Sequence, residues 1–233
     1  MKSDVIIIGS ELDAFVACIR LNELGFNSRI FSNGKGSLLY SLGNIKILNL
    51  IETNFEKKSP FSFFEKLTSN HPYNIIGKEN VKKAVDWFFN LNFFTRLKIN
   101  QYDNNINTLS PIGLKIPCAG LYDSQICYDD LWNKEISIIE IENYKDFHSE
   151  LIAKSIKKFT KSIEIIKIQQ PDLSKNSDSS SLAISFDNID NLKNYFNILK
   201  NKLNKNSSIV IFPAVLGLNN HIKVIQLAEK ILN

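Results

Sequence analysis

The residues of this sequence that come nearest to a recognisable chemistry lie in VIIIGSELDAFVACIRLNELGF, residues 5–26. An apolar run, a glycine turn and a helical pattern follow one another there. A dinucleotide-binding turn of this kind uses G-x-G-x-x-G: the first glycine for the tight turn, the second for close approach to a pyrophosphate, the third for helix–strand packing. Gly9 fills the first position, but Glu11 holds the second and Ala14 the third. Alanine is often accepted at the third position. Glu11 adds bulk and a negative charge at the approach point. About 4–5 Å from one phosphate charge it would repel by ~3–4 kcal/mol at an effective dielectric of 20. The same residues have another use. Ser10-x-x-Asp13 matches a capping box with Asp in place of Glu, in which the two side chains satisfy the first N–H groups of the helix. Glu11 and Asp13 also oppose the helix dipole. Two readings therefore stand: a working dinucleotide site, or a helix start capped by its own side chains.

Other reactive groups form no comparable pattern. His71, His148 and His221 lie far apart and outside any H-E-x-x-H spacing, so they read as surface or core residues and no metal site is expected. Asp129–Asp130 and Glu140-x-Glu142 read as solvated charge beside strand edges, and Lys35 as an exposed lysine in a loop that could meet a phosphate. No G-x-S-x-G elbow and no P-loop is present, and no residue stands out as a catalytic acid, base or hydride partner. Cys18, Cys118 and Cys127 include no C-x-x-C pair. That usage fits a reducing compartment.

The elements that must hold the turn follow from periodicity. DVIII (residues 4–8) is a continuous β-branched run, as in a parallel strand buried on both faces. Residues 12–24 carry Leu12, Phe15, Cys18, Ile19 and Leu24 on one broad helical face, with Gly25 beyond the end. SRIF (residues 28–31) is a second strand, and residues 32–44, SNGKGSLLYSLGN, form a Gly/Ser-rich loop. In doubly wound folds such a loop lies near the carboxyl ends of the strands, where ligands bind. Residues 55–67 and 78–94 read as helices, and residues 98–117 as a β-rich excursion with turns at Asn104–Asn105 and Pro111. A second α/β series then alternates strands at 135–141, 162–168 and 208–214 with helices at 144–159, 188–203 and 220–232, and residues 174–181 form a polar loop.

Composition narrows the classes of partner. The chain has 233 residues, 44% hydrophobic and 22% charged, with a net charge of +4. That suits a globular protein with a real core. Its mild basic excess reads as a Lys-rich surface, and no stretch joins clustered Arg or Lys to aromatics as a nucleic-acid channel would. The chain opens on a strand rather than a signal peptide, and no apolar run approaches the ~20 residues of a membrane span. The expected location is cytoplasmic, peripheral at the inner membrane only through partners.

Several segments, in order, resemble the B subunit of the anaerobic glycerol-3-phosphate dehydrogenases. They are SNG…SL..S.GN after the second strand, HPYNIIGKENV (residues 71–81), LSPIG (residues 109–113), ISIIEIENYKDFHSELIAKSIK and IFPAVLGL (residues 211–218). The resemblance covers about the N-terminal half of a family member. It implies an α/β fold: a Rossmann-like FAD/NAD(P)-binding core with a parallel sheet, an inserted lobe and a second α/β series. On that scheme residues 1–50 are the nucleotide-binding-like core with its Gly/Ser loop. Residues 51–130 are an inserted helical and β lobe, and residues 131–233 the second series. The implied activity is oxidation of glycerol 3-phosphate to dihydroxyacetone phosphate, with electrons passing through FAD or FMN toward quinone. The implied partners are a catalytic A-type subunit and a membrane-associated iron–sulfur C-type subunit. By position, Gly9, Ser10, Ser32, Asn33, Ser41 and Gly43 become flavin-contact candidates, with Ser32 and Asn33 placed to bond ribityl or ribose hydroxyls in place of the usual carboxylate. A reading of another class is a truncated, flavin-defective relic or non-catalytic subunit that works by binding a partner. An NAD-type enzyme would lack here both its glycines and the acid after its second strand.

Overall fold

The computed structural model describes residues 2–34, 36, 37, 41, 43–48, 59–91, 97–99, 104–169 and 178–232. Lys35, the first part of the helix read over 55–67, the end of that read over 78–94, and residues 174–177 lie outside the described residues. The architecture is mixed α/β, and the chain groups into two compact units, Met1–Asn44 with Lys66–Thr95 and Ile45–Glu65 with Arg96–Asn233.

In the first unit, β1 (Val5–Ile8) and β2 (Ser28–Phe31) pair in parallel, Val5 opposite Ser28 and Ile8 opposite Phe31. The crossover is α1 (Leu12–Glu23). It ends where Gly25, at φ +88°, turns the chain and donates to the Asn22 carbonyl. Ser28 fastens this helix to the sheet, since its hydroxyl reaches the Cys18 carbonyl at 3.2 Å and Asn22 Oδ1 at 2.9 Å. One expectation fails here. The β1 run is covered on one face only: Ile6 and Ile8 are 62% and 89% exposed, and Phe31 beside them is 55% exposed. Strand alternation explains it, because α1 packs on the Val5–Ile7–Ser28–Ile30 side and the opposite side chains point away from it.

α2 (Pro72–Ile76) starts with proline in its first turn, and the His71 Nδ1 atom accepts from the Tyr73 N–H at 3.1 Å. Gly77, at φ +89°, ends α2 and starts α3 (Lys78–Phe89). From α3, Trp87 Nε1 donates to Glu23 Oε2 at 2.8 Å and its ring lies under the Arg20 guanidinium at 5.6 Å. These two contacts join α3 to the end of α1. Residues 60–66 form a 3₁₀ helix (Pro60–Lys66) rather than α-helix.

In the second unit, β3 (Leu97–Ile99) pairs antiparallel with β6 (Gly120–Tyr122), and β4 (Ile106–Leu109) with β5 (Lys115–Cys118). The turn between β4 and β5 lies against α4 (Ser149–Ile156): a Cβ at Gly113 would stand 2.9 Å from the Ile152 Cα. Only glycine allows that approach, at φ +80°. A parallel sheet of order β8-β7-β9 is built from β7 (Glu135–Ile141), β8 (Ser162–Ile168) and β9 (Ile209–Ile211).

β7 is the central strand, and its alternation splits the core. Ile136 and Ile138 pack with Leu131, Ile152, Ile156 and Ile211. Ile139 and Ile141 face the other way, into a cluster with Phe186, Leu192, Phe196 and Val224. Those four partners come from α5 (Ser179–Phe186), α6 (Ile189–Lys202) and α7 (His221–Leu232), and Ile166 and Ile168 of β8 join them. The polar loop read over 174–181 gives way to helix at Ser179 because Asp178 caps it, accepting from the Ser181 N–H at 2.8 Å. The helix read from residue 144 begins at Ser149, after Asn143 turns the chain at φ +64°.

Candidate cofactor-binding turn

The turn between β1 and α1 lies at the carboxyl end of the parallel pair. Gly9, at φ +142°, donates its N–H to the Phe31 carbonyl at 2.9 Å, so turn and β2 are tied together. A Cβ at Gly9 would stand 3.8 Å from the Ala14 Cβ, an ordinary contact. Ala14 therefore meets the third glycine's packing requirement.

The second position behaves in a way no local pattern shows. Glu11 is the N-cap residue of α1, with extended backbone at φ −91° and ψ 172° and no side-chain cap bond. Its carboxylate reaches across to the loop after β2. Oε1 accepts from the Ser37 N–H at 2.7 Å, and Oε2 from the Ser37 hydroxyl at 2.6 Å. Gly36 makes that closeness possible: a Cβ there would lie 2.3 Å from the Ser10 carbonyl oxygen. The capping box read from Ser10 and Asp13 is thereby corrected. The cap position falls one residue later, and Asp13 Oδ1 accepts from the N–H of Ala14 at 2.8 Å instead of reaching back.

The structure brings Gly9 and Ser10 together with the segment after β2. Ser32 and Asn33 leave the end of β2 directly, and the Ser32 hydroxyl donates to the Gly34 carbonyl at 3.4 Å. Ser41 and Gly43 are joined to each other: the Gly43 N–H donates to Ser41 Oγ at 3.1 Å, with Gly43 at φ +73°. Next to them the Nδ2 atom of Asn44 is shut off from solvent and finds no acceptor among the described residues. Sequence reasoning places Ser37 and Asn44 within the segment that carries the resemblance but gives them no role, and it does not single out Gly36. The glycines of NGKG mark the loop, but its partner lies 26 residues back in the chain.

As a cradle for a flavin, this arrangement fits in part. The glycine turn and the hydroxyls of Ser10 and Ser32 beside it are suited to a ligand rich in acceptors and hydroxyls, whereas nothing in the contacts brings Ser41, Gly43 or Asn44 to that turn. The Glu11 carboxylate stands where a diphosphate would approach.

The other polar constellations serve the fold. Asp187 accepts from the N–H groups of Leu218, Asn219 and Asn220 at 3.1, 2.9 and 2.9 Å and so fills the start of α7 with an internal anion. Burial pushes its carboxyl up, but these N–H donors and the Asn219 amide outweigh that and hold it below the ordinary value. Glu140 accepts from the Ser149 hydroxyl and pairs with Lys167 at 3.1 Å. The Ser149 bond is the main cause of its lowered carboxyl. Ser137, fully buried on β7, bonds Glu164 and Ser207. His148 and His221 stand at the starts of α4 and α7. No group of three or more His, Cys, Asp or Glu among the described residues could hold a metal ion. Nor is any helix among them long and apolar enough to cross a membrane.

Comparison with known proteins gives one consistent set of relatives. The chain is 26% identical over 171 residues to the B subunit of the anaerobic glycerol-3-phosphate dehydrogenase of Aliivibrio fischeri (strain MJ11), an alignment taking in 69% of this chain and 37% of that protein. It is 24% identical over 237 residues to the protein of that name from Actinobacillus pleuropneumoniae serotype 5b, covering 94% of this chain and 55% of the relative. It is 28% identical over 170 residues to the one from Histophilus somni (strain 129Pt), covering 67% and 38%. The chain thus spans about half the length, or less, of the curated relatives it matches. No family model matches the sequence, and no solved structure matches it.

Proposed function

We propose that this chain is a component, like the B subunit of its relatives, of a flavin-dependent oxidoreductase that converts glycerol 3-phosphate to dihydroxyacetone phosphate and passes electrons toward quinone. The observation that carries the reading is the pairing of two things. Distant relatives bearing the B-subunit name align across most of the chain. And the glycine turn at Gly9–Ser10 is closed over by Gly36 and Ser37 at the carboxyl end of a parallel β1–β2 pair, which is where nucleotide ligands sit in open α/β folds. On this reading the first unit is a Rossmann-like core, and FAD or FMN supplies the two-electron chemistry. Gly9 and Ser10 face the ligand's phosphate side. Ser32, Asn33, Ser41 and Gly43 bond its hydroxyls and ring. The name of the relatives implies further subunits, here an A-like catalytic and a C-like iron–sulfur partner, the latter tethering the complex at the membrane from the cytoplasmic side.

A second reading has its own observation. Glu11 occupies the donors of Ser37 that an anion would use, and Ile6, Ile8 and Phe31 present a bare apolar face. A non-catalytic, flavin-defective protein that works by binding a partner would look like this. Recording the visible spectrum of the purified chain, alone and with added FAD or FMN, separates the two. Saturable but weak binding fits the first reading, and no binding at any concentration leaves the second.

A further inference from the structure

The sequence holds one Asn-Gly pair, Asn33–Gly34, and three Asn-Ser pairs, Asn27–Ser28, Asn176–Ser177 and Asn206–Ser207. An asparagine followed by a small residue is open to attack on itself. The main-chain nitrogen of the next residue, once deprotonated, bonds to the side-chain Cγ, because little bulk blocks the approach. Asparagine is thermolabile for this kind of reason. Asn176–Ser177 lies outside the described residues. In the other three pairs the asparagine is exposed, so exposure does not separate them.

The N–H that follows each asparagine does separate them. The Ser28 N–H donates to Asn22 Oδ1 at 3.2 Å, and Asn27 Nδ2 donates to the Lys2 carbonyl at 3.0 Å. The Ser207 N–H donates to the Asn204 carbonyl at 3.0 Å. A bonded N–H is harder to deprotonate, since the bond is lost with the proton. Gly34 differs. Its N–H makes no hydrogen bond among the described residues, nor does the Asn33 side chain. The Ser32 hydroxyl donates to the Gly34 carbonyl and leaves that N–H untouched. A Cβ at Gly34 would meet nothing within 4 Å, and the residue stands at φ +95°. No packing restrains it, and glycine has the widest backbone range of any residue.

We propose that Asn33 is a site of spontaneous deamidation in the folded chain. The Gly34 nitrogen loses its proton and bonds to Asn33 Cγ. The Cγ–Nδ2 bond breaks, Nδ2 leaves as ammonia, and a succinimide ring closes. Water then opens the ring at one or other carbonyl, giving aspartate or isoaspartate. Nothing is oxidised or reduced. Each event lowers the formal net charge of +4 by one. It puts a carboxylate directly after β2, where dinucleotide folds keep the acid that bonds a ribose hydroxyl. The isoaspartate form also lengthens the main chain by one methylene between β2 and Ser37. The inference stands whether or not the turn holds a flavin.

The test incubates the purified full chain, folded and in urea, at mildly acidic and mildly alkaline pH. Peptide mapping by mass spectrometry follows the amide-to-acid mass shift at each asparagine, and ion exchange follows the more anionic chain. In the folded chain Asn33 should be modified several-fold faster than Asn27 and Asn206. The rate should rise with pH, because the Gly34 N–H must ionise. In urea the gap should narrow, because the bonds to the Ser28 and Ser207 N–H groups are gone. Asn33→Gln, whose longer side chain must close a larger ring, should remove the early anionic species. An Asn33 that stays intact in the folded chain and reacts only in urea would overturn the proposal. So would a gap no wider in the folded chain than in urea, or an early anionic species that persists in Asn33→Gln.

Discussion

Replacing Glu11 by glutamine keeps the side chain's shape and one acceptor for Ser37, and removes the charge. The carboxylate is held at 2.7 and 2.6 Å by the Ser37 N–H and hydroxyl, so it is fixed at the mouth of the turn. A phosphate about 4–5 Å away would be repelled by ~3–4 kcal/mol at an effective dielectric of 20 and by ~1 kcal/mol in bulk water. Glu11 is exposed, so a value near ~2 kcal/mol is the reasonable middle. That predicts FAD and FMN binding about 10- to 30-fold tighter in Glu11→Gln. The substitution should change stability by less than ~1 kcal/mol, because exposed charge-assisted bonds are screened. The assay is a fluorescence titration at low and high salt. Riboflavin, without a phosphate, should bind both chains alike. Salt should tighten FAD binding to the unchanged chain by screening the repulsion, and do less for Glu11→Gln. An unchanged FAD affinity, or an equal gain for riboflavin, would refute the argument that charge at this position opposes the cofactor.

Three further expectations concern the second unit. Asp187→Ala strips three backbone N–H groups of their acceptor and should cost about 1–2 kcal/mol, read from urea denaturation. Because the carboxyl is held below its ordinary value, its contribution is fully present above about pH 4 and is lost as pH falls through the lower folded value. The Asp187→Ala penalty should shrink over that acid window. Tyr195→Phe removes a buried hydroxyl with no partner among the described residues. It should raise stability by about 1 kcal/mol in the same denaturation assay, whereas a loss would show that the hydroxyl is bonded. Cys118 has its thiol pushed up to about 12, chiefly by burial, with Cys127 adding to the rise and Lys46 opposing it. In native labelling at pH 8 followed by mass spectrometry, Cys118 should stay unmodified until the chain unfolds.

How far the fold is legible in the sequence depends on whether the deciding contacts are local. The strands Ser28–Phe31, Glu135–Ile141 and Ser162–Ile168 end where the pattern places them, because β-branched runs bounded by polar residues carry their limits with them. The first helix is legible for the same kind of reason, an apolar stripe closed by Gly25. For α4 the pattern sets the start five residues too early. Tyr144 and Phe147 stand at helical spacing within residues 144–148, but the left-handed Asn143 and the Tyr144 hydroxyl, bonded to Ser179 at 3.0 Å, hold them as a loop.

The candidate site is half legible. Gly9 and the Gly/Ser loop are marked by composition, and Glu11 by its departure from the glycine pattern. What Glu11 does is decided by Ser37, 26 residues away, and by the space left at Gly36. No window of sequence holds both. The burial of Asn44 Nδ2 is likewise a tertiary fact. The exposure of Ile6 and Ile8 escapes the pattern because an unbroken apolar strand says that both faces want cover, not that both receive it.

The most direct measurement for the central claim is equilibrium dialysis of the purified chain against FAD and FMN, with bound flavin read by its visible spectrum. Saturable binding of one flavin per chain, weak enough to be lost on gel filtration, is the outcome that a half-obstructed flavin site predicts. An absence of saturable binding up to millimolar flavin would contradict the assignment of this turn as a flavin site.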